Sequence, residues 1–262
     1  MKLGCCINMA GSKEEPIGRR CLPVLKAAGY DYAELPLAQV MELPEEDFES
    51  LLEELRAAAI PCLCCNNFFP ADVRLTGDAV DLEKVGTYVR ESLGRAARLG
   101  AEKIVFGSGG AKNVPEGFPH DEAFKQIVQT LKLVDVYAKQ YGIEIVIEPL
   151  NHMESNIILN LSDGKRLMDA GDYENIFLLV DYYHYVKEND SPEVLKKCMK
   201  DIRHVHFAEP EGRGFPVEIK EEYREFFDLL KEGGYDGTVS IEANSAEPEA
   251  DIGRAVFMRE LL

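Results

Sequence analysis

Basic side chains are scarce in this 262-residue chain: 29 Lys and Arg stand against 47 Asp and Glu, a formal net charge of −18 with histidine neutral. Such a surface repels phosphate backbones and anionic bilayers, which argues against nucleic acid or a membrane as the main partner. A small uncharged ligand is left open. Long apolar runs are also missing: none reaches membrane-spanning length, and the opening MKLGCCINMAGS is too short for a secretory h-region. Paired CxxC knuckles are absent. The seven cysteines (Cys5, Cys6, Cys21, Cys62, Cys64, Cys65 and Cys198) are odd in number, so the expectation is reduced thiols and a cytoplasmic location. Cys62-Leu63-Cys64-Cys65 lies in an apolar run and reads as small buried strand residues rather than a zinc site. Nucleotide fingerprints are lacking too. Asn8-Met9-Ala10-Gly11-Ser12 is not GxGxxG, and Gly107-Ser108-Gly109-Gly110-Ala111-Lys112 has neither a closing glycine nor a Lys-Ser/Thr pair. The latter reads as a loop bending over the mouth of the fold.

What is present is a regular alternation. Short apolar runs fall at Leu3–Asn8, Tyr32–Leu37, Pro61–Phe68, Lys103–Ser108, Ile143–Leu150, Ile176–Tyr182, Ile202–Phe207 and Thr238–Ala243. Several are apolar almost throughout, as strands covered on both faces are. Between them lie helical patterns at Glu45–Ala58, Asp81–Leu99, Glu122–Tyr141, Ser162–Ala170, Ser191–Met199 and Glu221–Lys231. Phe124, Ile127, Val128, Leu131, Val134 and Ala138 share one face of the third, and Gly142 suits its C-cap. Gly-Tyr-Asp before the second and eighth strands reads as a helix-to-strand turn. Eight such units with no linker predict an α/β fold, a single (β/α)₈ barrel filling residues 1–262. An open doubly wound sheet is the alternative, disfavoured by the missing fingerprint.

In such a barrel the site lies at the C-terminal strand ends. There the sequence places Glu34, Asn66-Asn67, Glu148, Asp181 with His184 three residues on, His204 and His206 on one face, and Glu242. Each has an ordinary reading. A strand-end Asp often caps the following helix. His204 suits a satisfied core position, and Glu34 or Glu209 a salt bridge at the mouth. The conjunction points elsewhere: four consecutive strands deliver a carboxylate or imidazole to one rim. Arg213, the one clear cation in the nearby late loops, does not balance Glu148, Asp181 and Glu242. Three carboxylates with His206 form an oxygen-rich set with one nitrogen, which favours Mn²⁺, Mg²⁺ or Co²⁺.

Ile147-Glu148-Pro149-Leu150-Asn151-His152-Met153-Glu154 resembles the strand-five signature of xylose-isomerase-like sugar isomerases and epimerases. Asp181-Tyr182-Tyr183-His184 resembles their D-x-x-H element, and His204-Val205-His206 with Arg213 their H-x-H and downstream arginine. Thr238–Asn244 is similar to their last strand. The motifs stand nearest to ketose 3-epimerases of the tagatose or psicose type. The resemblance implies a divalent-metal-dependent isomerase, with Glu148, Asp181, His206 and Glu242 as metal ligands and Mn²⁺ as the expected ion. It further implies Glu148 and Glu242 as the acid/base pair, Glu154, His184 and Arg213 as substrate-holding residues, and a homodimer or homotetramer. The expected reaction is C3 epimerisation of a free ketose through an enediolate. The pattern departs where an arginine and an aromatic are usual: His152 and Met153 stand there. The Phe106–Pro115 loop also occurs in relatives handling inososes and small polyols. Inosose dehydratase or hydroxypyruvate isomerase activity is therefore the alternative. An endonuclease IV-like phosphodiesterase fits neither five histidines nor the −18 charge, and a non-catalytic sugar-binding role is the last reading.

Overall fold

The strands owe their order to alternation that serves two faces at once. In β4 (Lys103–Phe106), β5 (Glu144–Ile147) and β6 (Ile176–Asp181), Ile104, Phe106, Ile145, Ile147, Leu178 and Val180 join the large outer core of 71 buried residues. Their neighbours Val105, Val146 and Leu179 form a small separate cluster inside the ring. A computed structural model describing residues 1–262 shows all eight strands parallel and closed in the order β1-β2-β3-β4-β5-β6-β7-β8. The remaining strands are β1 (Lys2–Cys6), β2 (Tyr32–Pro36), β3 (Cys62–Asn66), β7 (Ile202–Phe207) and β8 (Thr238–Ile241). Helices cover the outside, so the chain is a single (β/α)₈ barrel, as its alternation predicts.

The strands are shorter than the apolar runs. The Ile143–Leu150 run contributes only Glu144–Ile147 to the ladder, and the Pro61–Phe68 run only Cys62–Asn66. Beyond the rim the regular ladder stops, and the apolar residues there pack as loops. Ile7–Ala10 forms a 3₁₀ turn rather than extending β1. The long helices match closely. Glu45–Ala58 is as expected, Leu82–Leu99 is capped by the Asp81 side chain, and the third runs His120–Tyr141 with Gly142 at its C-cap. The expected 107–110 loop is partly helical, with one turn at Gly109–Lys112. Both Gly-Tyr-Asp turns anchor a buried tyrosine: Tyr30 donates to the Ile252 carbonyl and Tyr235 to that of Thr238.

The interior of the ring is largely polar. Tyr32 fills its floor opposite Gly4, where a Cβ would lie 2.2 Å from the tyrosine ring. All seven cysteines are free and buried; Cys5, Cys21, Cys62, Cys65 and Cys198 belong to the outer apolar core. No helix is long and apolar enough to cross a membrane.

Candidate active site at the barrel mouth

Strand register assembles the centre. β6 pairs with β7 so that Asp181 lies beside His206, and β8 places Ser240 beside His206 on the other side. Glu148 and Glu242 each follow the last residue of their strand, their amides still bonded to the Phe106 and Phe207 carbonyls. One ligand atom from each of Glu148, Asp181, His206 and Glu242 lies within 4.8 Å of the others, and all four residues are buried. His206 Nδ1 is 3.0 Å from Glu148 Oε1 and 3.4 Å from Glu242 Oε2.

Asp181 serves two readings at once. Its Oδ1 accepts from the Tyr183 amide and caps the Tyr182–Lys187 helix, while Oδ2 is buried with no hydrogen-bond partner. Opposite it, 3.5 Å away, His184 Nε2 is equally unpartnered. His184 Nδ1 faces two N–H donors, the backbone amide of Asn151 at 3.1 Å and its side-chain amide at 2.8 Å. Nδ1 therefore accepts, and Nε2 carries the proton. Burial pushes the His184 pKa down, which keeps that ring neutral.

Arg213 closes the mouth. Its Nη2 donates to Glu242 Oε2 at 2.6 Å and lies 3.7 Å from Asp181 Oδ2; Nη1 donates to both oxygens of Glu154, at 3.2 and 3.0 Å. The guanidinium also sits 4.9 Å from the Tyr183 ring centroid. Burial opposes its charge, but Glu242, Asp181 and Glu154 outweigh that and hold it protonated. The two glutamates are driven apart. Burial pushes Glu148 up, against the pull of His206. Burial acts on Glu242 as well, yet His206 and Arg213 outweigh it and bring its pKa down to about 2.

Glu34, His204 and Asn67 divide. Glu34 and His204 meet beneath the centre, at 2.9 Å, and both are fully buried. Glu34 is thus no salt-bridge partner at the rim, where Glu209 does pair with Lys220. His204 is the satisfied core histidine that its ordinary reading describes, held also by Thr238. Burial alone would raise the Glu34 pKa; His206 and His204 hold it well below the usual carboxylate range. Asn67 turns the chain with φ of 47° and offers its carbonyl to the Ala38 amide. Asn66 is the asparagine that reaches the centre, donating to Glu242 Oε1 at 3.1 Å and Asn8 Oδ1 at 3.0 Å. His152 points outward to Glu188, and Met153 is exposed.

Two contributors escaped sequence reasoning. Lys112 is buried and donates to the Glu148 carbonyl at 3.1 Å, a second cation beside the centre; burial takes its pKa down to about 8. Gly107 leaves room for the Glu148 carboxylate, since a Cβ there would lie 2.0 Å from Oε2. A glycine at the end of β4 was the available signal, but it names no partner. Gly107→Ala is expected to fold, displace Glu148 and lower kcat about 100-fold, the usual scale for a misplacement near 1 Å. Steady-state kinetics with a melting curve check this, and unchanged kcat would show that Glu148 has slack.

The donor set fits a divalent ion. Three carboxylates and one imidazole nitrogen converge, the Asp181 oxygen facing the cluster has no hydrogen-bond partner, and the net anionic charge calls for a cation.

A polar ligand cage at the C-terminal mouth of a parallel eight-stranded barrel defines a class of TIM-barrel enzyme. The model of the xylose isomerase-like TIM barrel family matches residues 22–261, and the chain belongs to that family. It is an enzyme of the isomerase and epimerase class, after which several of its relatives are named. It is 26% identical over 233 residues to an L-ribulose 3-epimerase of Methylomonas sp. (strain DH-1), covering 87% of this chain and 79% of that one. To a 2-oxo-tetronate isomerase of Haemophilus influenzae it is 29% identical over 132 residues, covering 49% of this chain and 51% of the relative. The fold is that of a D-allulose 3-epimerase from Methylomonas sp., solved with D-allulose, at a TM-score of 0.86 and 21% identity over 100% of this chain and 97% of that one.

Proposed function

We propose that this enzyme is a divalent-metal-dependent epimerase of a free ketose acting at C3, with Glu148 and Glu242 as the proton-transfer pair. The observation that carries it is the convergence of Glu148, Asp181, His206 and Glu242 within 4.8 Å at the barrel mouth. These four residues would hold the ion, Mn²⁺ being the expected one. A bound divalent ion supplies Lewis-acid polarisation of a carbonyl and its neighbouring hydroxyl. Everything else falls to the chain's own groups. Inverting a carbon requires a proton taken from one face and another delivered to the opposite face. Two carboxylates on strands separated by β6 and β7 suit that need, where an aldose–ketose isomerase needs only one. Their environments push their pKa values in opposite directions, which suits a donor–acceptor pair. Arg213 stabilises the negative charge that develops on the enediolate. The His184 Nε2–H donates to a substrate oxygen, and Glu154, bonded twice to Arg213, receives a hydroxyl and fixes the guanidinium. Self-association as a homodimer or homotetramer is part of the same reading.

The test is a screen of free ketoses and inososes with Mn²⁺ in D₂O, read by chromatography and mass. The expected result is a new ketose carrying one solvent deuterium at the inverted carbon. Loss of water would instead indicate a dehydratase, and an aldose product an isomerase. Metal-bound protein that leaves every substrate unexchanged would overturn the catalytic reading.

A further inference from the structure

The most heavily engaged carboxylate inside the ring lies outside the four-residue cage. Glu34 points inward from β2 and is fully buried. Its Oε1 accepts from His206 Nε2 at 3.0 Å; its Oε2 accepts from His204 Nε2 at 2.9 Å and from the Ser240 hydroxyl at 2.5 Å. Each of these partners is itself braced. Ser240 lies 2.8 Å from the Tyr32 hydroxyl, and His204 Nδ1 lies 2.7 Å from that of Thr238. A buried carboxylate is costly unless fully partnered, and an apolar side chain would fill this space without that cost.

Glu34 touches one member of the cage, and on the far side of its ring. An ionised carboxylate only accepts hydrogen bonds, so His206 Nε2 must carry a proton. The other ring nitrogen, Nδ1, is the one that faces Glu148 and Glu242. A metal ligand has to present a lone pair, and the partner of the second nitrogen decides which nitrogen is free to do so.

We propose that Glu34 is a positioning residue for metal binding: clamped by His204 and Ser240, it holds the His206 ring so that Nδ1, and not Nε2, serves the ion at the mouth. This inference rests on the metal reading above and adds a residue that touches neither ion nor substrate. Glu34→Gln tests it. A glutamine has one acceptor oxygen where three donors converge: its amide nitrogen would oppose both His204 and Ser240 in the Oε2 place but His206 alone in the Oε1 place, so the second orientation costs less. There His206 Nε2 loses its proton to Nδ1 and the lone pair leaves the mouth.

The experiment is calorimetric titration of Mn²⁺ into metal-stripped wild type, Glu34→Gln and Ser240→Ala, with melting curves of each. Mn²⁺ affinity is expected to fall about 10- to 100-fold in Glu34→Gln, the usual scale for losing such an outer partner. Ser240→Ala, which removes one clamp on Glu34 but keeps its contact with His206, is expected to lose less affinity than Glu34→Gln. A folded Glu34→Gln that binds Mn²⁺ as tightly as wild type overturns the inference and leaves the metal reading intact. Wild type that does not bind Mn²⁺ overturns both. Should Glu34→Gln not fold, histidine ¹⁵N spectra of the Mg²⁺-loaded wild type decide. A proton on His206 Nε2 with Nδ1 shifted by the ion supports the inference; a proton on Nδ1 overturns it.

Discussion

Glu148→Gln is expected to retain the fold and lose nearly all turnover, and Glu242→Gln to do the same. A positioned acid or base contributes about 10²–10⁴-fold. Each glutamate also belongs to the proposed cage, so a loss at or above the upper end of that range is expected, roughly 5 kcal/mol or more of transition-state stabilisation at 1.36 kcal/mol per tenfold. Fold retention follows from the surroundings. Glutamine preserves volume, and the backbone amides of both residues remain bonded to the neighbouring strands. The two variants should differ in one respect. Glu242 is engaged by Arg213, Asn66 and His206, so its loss frees a guanidinium and an amide as well. Glu242→Gln is therefore the variant in which KM rises along with the fall in kcat. Kinetics on a ketose turned over by the parent, with circular dichroism as the fold control, decide the matter. Wild-type kcat in either variant would remove that residue from proton transfer.

Exhaustive chelation is expected to abolish activity, and Mn²⁺ or Co²⁺ to restore it. The same manipulation has a stability readout. An ion that binds only the folded chain adds about 2.7 kcal/mol at one hundred times its Kd. For a chain of this size that raises the melting temperature by roughly 5–10 °C. The physical source is the crowding of Glu148, Asp181 and Glu242, for which Arg213 and His206 compensate only in part. Full activity after complete metal removal, confirmed by elemental analysis, would end the metal reading.

Much of this centre is legible along the chain because it breaks a local pattern. Glu148 ends the apolar run Ile145-Val146-Ile147, Asp181 ends Leu178-Leu179-Val180, and Glu242 follows Ile241. A charged residue at the end of a strand buried on both faces stands out against its neighbours. Asp181 shows where such reading stops. Helix cap and cluster member were competing interpretations, and the residue is both, one oxygen to each. Of Asn66 and Asn67 the sequence reading favours Asn67 as the site candidate, and the structure corrects this to Asn66. Period-two alternation within β3 sets Asn66, its last paired residue, inward with Cys64 and leaves Asn67 to make the turn.

By itself the sequence determined the eight-fold alternation of strand and helix, the polar strand ends and the family motifs. These are local properties, set by periods of 2 and 3.6 residues and by side-chain type. The tertiary structure alone decided which polar groups meet. Glu34 and His206 are 172 residues apart, Asn66 and Glu242 176. Their contacts exist because the ring closes β8 against β1 and all inward side chains share one narrow interior. Pairing of β4 with β5 likewise brings Lys112 and Gly107 against Glu148, too close for a Cβ at position 107. No period along the chain encodes those approaches, because each depends on side chains from separate strands competing for the same few ångströms.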